Sequence, residues 1–169
     1  MGEVEVELKP IARESIPRAL ERAERYRLLN DPRLAESICL DVLAIEPDNQ
    51  AALSCLLLAL TDQFDSGAGQ VMDRARQLLP RLAGAYEQAY YAGIILERFA
   101  RQQIAQGHPG AKFSAYEYLR EAMKHYDQAE ALAPDANDDP ILRHNTCVRL
   151  IQWHRLVAPH PDEHEQPLE

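Results

Sequence analysis

Leu34-Ala35-Glu36-Ser37-Ile38-Cys39-Leu40-Asp41-Val42-Leu43-Ala44-Ile45-Glu46-Pro47 decides the fold. Leu34, Ile38, Val42 and Ile45 recur at three- and four-residue steps, so they share one face of a helix. Pro47, just past the last of them, cannot continue the hydrogen-bond ladder. The same spacing returns at Tyr118, Ala122, Ala129 and Leu132. Loops are marked by Asn30-Asp31-Pro32, Glu46-Pro47-Asp48-Asn49, Asp65-Ser66-Gly67-Ala68-Gly69, Gly107-His108-Pro109-Gly110 and Ala133-Pro134-Asp135. Asp31 and Asp48 suit helix N-caps. The chain therefore reads as all-α. Its divisions are an N-terminal arm (1–12), a helical domain (13–157) and a tail (158–169) too poor in apolar groups to order itself.

The stretch also carries a repeat. Counting back from Pro47, Pro80 and Pro134, an alanine stands twelve residues earlier in each case: Ala35, Ala68 and Ala122. Eight before stand Cys39, Met72 and Tyr126, and five before stand Val42, Ala75 and Ala129. Small residues at a crossing let helices approach to about 8–10 Å, so each unit should be a helical hairpin stacked on the next. The first two prolines are 33 residues apart and the last two 54.

On these residues the chain resembles the tetratricopeptide repeat family over residues 16–145. Ala23, Tyr26, Ala35, Val42 and Pro47 fall where that family places small, aromatic, small, small and proline residues. Arg22 and Cys39 depart from it, as does Ala59 in the second unit. The resemblance implies a right-handed superhelix of stacked hairpins, the third elongated by an insertion. The extra residues are expected in a long first helix (82–106) and the Gly107–Gly110 loop, with Pro80 sitting in a continuing helix. Pro140 to Val157 would be the solitary helix that covers the end of the stack, with Trp153 packed into it.

Composition narrows the classes further. With 169 residues, 46% of them hydrophobic, one globular domain fits, and the formal charge is −9. The C-terminal third is the most acidic. Such a surface repels phosphate backbones and anionic headgroups, so neither nucleic acid nor membrane is expected as a partner. Arg18, Arg22, Arg25 and Arg27 alternate with Glu14, Glu21 and Glu24 as a solvated face. No apolar run approaches the about 18–20 residues of a membrane span, and the acidic start is unlike an export signal, so a cytoplasmic location is expected. Cys39, Cys55 and Cys147 read as reduced core residues.

Chemistry-bearing motifs are missing. Ser66-Gly67-Ala68-Gly69-Gln70 lacks the spacing of a phosphate loop. Glu121-Ala122-Met123-Lys124-His125 has one residue too many for a bundle metal motif, and His160 and His164 lie in the Pro-flanked tail. No enzyme activity, cofactor or metal is therefore expected.

What remains is binding. In the resembling family the first helix of each pair lines a concave face, which here implies Leu20, Glu24 and Arg27, then Leu53, Leu57, Leu60 and Phe64, with Tyr90 on the long helix. Ala51 to Leu60 is apolar all round and must be covered on every side. The expected function is a non-enzymatic scaffold or adaptor holding an apolar peptide or helix in a Leu-lined groove. Alternatives are a self-associating homodimeric module, a small chaperone for secreted proteins, or a groove filled by Tyr86, Tyr90, Tyr91, Ile94, Ile95 and Phe99 of the chain itself. Leu53 and Leu57 stand where carboxylate-clamping relatives carry Lys and Asn, which disfavours a chaperone-tail clamp. The arm alternates Glu3, Glu5 and Glu7 with Val4, Val6 and Leu8, which suits a loose extended segment, with docking in a groove of its own chain or a neighbour's as the sharper alternative.

Overall fold

Asn30 takes a left-handed backbone (φ 59°), a region asparagine enters more readily than most residues, and there the first helix ends. Asp31 then caps the next helix, its carboxylate accepting from the Leu34 N–H at 3.3 Å, with Pro32 at the first helical position. These signals give α1 (Ile16–Leu28) and α2 (Pro32–Ile45). The structure, a computed structural model, describes residues 6–159. Among them there are seven α-helices and no strand: α3 (Gln50–Thr61), α4 (Ala68–Leu78), α5 (Ala85–Gln106), α6 (Ala111–Leu132) and α7 (Asp139–Trp153) complete the set. None is long and apolar enough to cross a membrane.

The cap of α3 is Asn49, one residue later than Asp48. The Asn49 side-chain oxygen accepts from the Ala52 N–H at 2.9 Å, because the Pro47-Asp48 turn brings Asn49 rather than Asp48 to the helix entrance. Asn49→Ala should cost about 1 kcal/mol, read as a lower urea midpoint with an unchanged slope. Pro80 does not continue a helix. It sits in a short 3₁₀ turn, Leu79–Arg81, and α5 begins only at Ala85. That turn is bonded to the previous one: Arg81 Nη2 donates to the Pro47 carbonyl at 2.7 Å, and the Ala83 N–H donates to Gln50 Oε1 at 2.9 Å.

Helices pair as consecutive hairpins, α1 with α2, α3 with α4 and α5 with α6; α2 also packs on α3, α4 on α5 and α7 on α6. The aligned positions Ala35, Cys39 and Val42, then Met72 and Ala75, then Ala122, Tyr126 and Ala129 are all buried. The insertion is shared between both helices of the third hairpin, each 22 residues long. At 1.5 Å per residue each spans about 33 Å, and lengthening both covers an apolar face that a single long helix would leave open. Gly93 makes this pairing close, since a Cβ there would lie 2.5 Å from Tyr126 Cε1.

The C-terminal helix stops with Arg155 in the left-handed region (φ 49°), which lets the Leu156 N–H reach back to the Ile151 carbonyl at 2.9 Å. Leu156 is thereby tucked into the core, while Trp153 is turned outward and is 69% exposed. Trp153 is not the packing residue its apolar neighbourhood suggests. Val6 and Leu8 of the arm are 86% and 93% exposed, so they dock in no groove of their own chain; Val4 lies outside the described residues.

Candidate functional site

Within the hairpin stack the first helices also touch one another, α1 against α3 and α3 against α5, and Arg143 of α7 bonds to α5. This row carries a continuous run of polar and aromatic side chains. Arg27 Nε of α1 donates to Asp62 Oδ2, at the end of α3, at 2.8 Å. Arg98 of α5 donates to the other Asp62 oxygen and to Thr61 Oγ1, the latter at 2.7 Å. One carboxylate thus bridges two guanidinium groups from two hairpins. Burial lowers the Arg98 pKa from its ordinary value, with the Asp62 charge opposing that shift. Beside this bridge lies an open polar cleft of about 450 Å³, lined by Thr61, Phe64, Arg98, Arg101 and Gln102 among others.

Farther along α5 stands a tyrosine cluster. Tyr86 and Tyr90 stack with ring centroids 5.7 Å apart, and Tyr91 meets Tyr90 edge-on at 5.5 Å. Asn137 Nδ2 donates to the Tyr86 hydroxyl at 2.9 Å. Burial raises the Tyr91 pKa, partly offset by a hydrogen bond with Ser54 of α3. Beneath the cluster Glu97 is fully buried, accepting from the Tyr126 hydroxyl at 2.7 Å and from Arg143 Nη1 at 3.2 Å. Burial first, then the Glu97 charge, pushes the Tyr126 phenol far above its ordinary range. Such a buried carboxylate is satisfied by partners from two other helices, which ties α5 to α6 and α7.

The sequence-derived site residues divide between this row and the core. Arg27 and Tyr90 lie on the row, half-buried; Glu24 is exposed and Leu20 half-buried on α1. Leu53, Leu57, Leu60 and Phe64 are not an open stripe. All four are buried in the core, Phe64 meeting the Phe99 ring edge-on at 5.8 Å. The reason is position: α3 is enclosed by α1, α2, α4 and α5, so its Leu-rich faces are covered by the chain itself. Its outward face is instead Ala51, Ser54, Leu58 and Asp62. Asp62, Glu97, Arg98 and Arg143 are the row members that sequence reasoning missed, whereas Tyr91 was named only as a residue that could fill the groove. The signal for Glu97 was its place directly after the apolar run Ile94-Ile95-Leu96, where a carboxylate must find buried partners.

The three cysteines are free and buried. A hydrogen bond to Cys55 and burial push the Cys39 thiol up, and burial followed by the Glu97 charge pushes Cys147 up to about 12. Among the described residues no group of three or more His, Cys, Asp or Glu could hold a metal ion; His160 and His164 lie outside them. Comparison with models of known protein families, with curated proteins and with solved structures finds no match.

Proposed function

We propose that the chain is a non-enzymatic protein-interaction module of tetratricopeptide type, whose row of first helices holds an extended peptide from a partner. The observation that carries this reading is the run of Tyr90, Tyr91, Arg27, Arg98 and Arg143 across three helices, α1, α5 and α7. Tyrosine and arginine dominate binding energy at protein interfaces, since each offers a large contact area together with directional hydrogen bonds. The stack of hairpins with small residues buried at equivalent positions supports the repeat reading as well. The occupant contacts tyrosine edges and guanidinium groups, in place of a leucine floor. It therefore carries apolar or aromatic side chains interspersed with carboxylates.

A peptide-display library selected on the wild-type protein tests this. Selected peptides should bind Tyr91→Ala about thirtyfold more weakly, the effect of losing a hot spot worth about 2 kcal/mol, while the variant's circular dichroism stays unchanged. Selected peptides that bind wild type and Tyr91→Ala equally, and whose amide protection lies off α1, α3 and α5, would overturn the proposal. A homodimer is the second reading, favoured by the exposed Leu28 and Leu29 where α1 turns into α2. Light scattering over a range of concentrations separates the two: a constant monomer mass removes the homodimer.

A further inference from the structure

A second site lies on the opposite end of the third hairpin. The turn between α5 and α6 and the last turn of α7 enclose a cleft of about 570 Å³, within the size range of small-molecule pockets. Its walls are apolar: Ile104 comes from α5, Phe113 from α6, Trp153 from the end of α7 and Val157 from the segment that follows it. Trp153 is 69% exposed although its ring forms part of this apolar wall. The polar members are His108, Lys112 and His154, all basic. No acidic side chain among the described residues lines the cleft, although the chain as a whole carries a formal charge of −9.

A basic rim over an apolar, aromatic wall is complementary to one kind of molecule. We infer that this cleft binds a small anionic amphiphile, an alkyl or aryl carboxylate, whose apolar body lies against Trp153, Phe113 and Ile104 and whose carboxylate meets Lys112. The apolar wall supplies affinity through area removed from water, and the ammonium supplies selection for charge. The site is separate from the row of first helices and does not depend on what that row binds.

Trp153 is the chain's single tryptophan, so its fluorescence reports directly on the cleft. Titration of the full chain with decanoate should give a saturable blue shift of that emission, as the ligand excludes water from the indole. Decanol should bind about tenfold more weakly, and Lys112→Ala should weaken decanoate by about the same factor while leaving decanol unaffected, because a hydrogen bond to a charged group is lost in each case. Lys112 is exposed, so its removal leaves the fold intact. An unshifted emission, or equal binding of decanoate and decanol, would overturn the inference. It would also fail if removing residues 160–169 alone red-shifts Trp153, which would make the tail the occupant. Emission that depends on protein concentration would assign the cleft to a second copy of the chain and equally reject a carboxylate.

Discussion

Gly93→Ala should lower the melting temperature by on the order of 10 °C, although alanine is the better helix former. In an open helix the exchange stabilises by about 1 kcal/mol, because glycine loses more backbone freedom on folding. Here the added Cβ would stand 2.5 Å from Tyr126 Cε1 and 2.8 Å from Cδ1, well inside contact distance. The ring cannot withdraw cheaply, since its hydroxyl is bonded to the buried Glu97. Overpacking costs about 1–3 kcal/mol, and a strained or broken bond to a carboxylate adds about 1.5–3 kcal/mol. The sum exceeds the helix gain and leaves a net loss of about 2–4 kcal/mol. In a Tyr126→Leu background the clashing ring atoms are gone, and there Gly93→Ala should be neutral or stabilising. A Gly93→Ala protein that melts at or above the wild-type temperature would show that α5 and α6 do not meet through this ring.

How much of this was legible in the sequence follows from the range of each interaction. The Ala35-Cys39-Val42 rows are local and periodic, so they exposed the helices and the hairpin units; Ala35, Cys39 and Val42, Met72 and Ala75, and Ala122, Tyr126 and Ala129 are buried. The length of α6 was not legible: Ala111 to Leu132 is a continuous helical pattern that says nothing about which hairpin arm absorbs an insertion. Leu53 and Leu57 show the limit most clearly. A helix apolar all round states that it is covered, without naming the cover, and only the placement of α3 among four neighbours identifies the chain itself. The pairings within the polar row had no local signature, since Arg27 and Asp62 are 35 positions apart and Glu97 and Arg143 are 46 apart. Trp153 was misread for a related reason: which face of α7 meets the rest of the chain is set by distant contacts such as Arg143 with Glu97, which its local apolar pattern does not reveal.

Arg143→Met should destabilise the protein by about 2–3 kcal/mol, and the loss should be largely recovered when Glu97 and Tyr126 are changed as well. Glu97 is fully buried and has two partners, the Tyr126 hydroxyl and the Arg143 guanidinium. Removing the guanidinium strands a carboxylate in the core, a change that typically costs about 3–5 kcal/mol. The Arg143 side chain keeps 31% of its surface exposed, so water screens part of the pair and the expected loss falls below that range. The triple variant Glu97→Leu, Tyr126→Phe, Arg143→Met removes the buried charge and the buried hydroxyl together and fills a similar volume, while the half-buried Tyr90 hydroxyl loses its bond to Arg143. It should unfold within about 1 kcal/mol of wild type in urea. If the single and triple variants are equally destabilised, the loss comes from missing packing of the arginine stem and the buried network contributes little. If the single variant alone is destabilised, the network's role is to fix where α7 sits against α5, because Arg143 joins those two helices through Glu97. Arg143 itself stands beside Tyr90 of the tyrosine cluster, so the triple variant, stable but without that guanidinium, should bind row-selected peptides more weakly than wild type does.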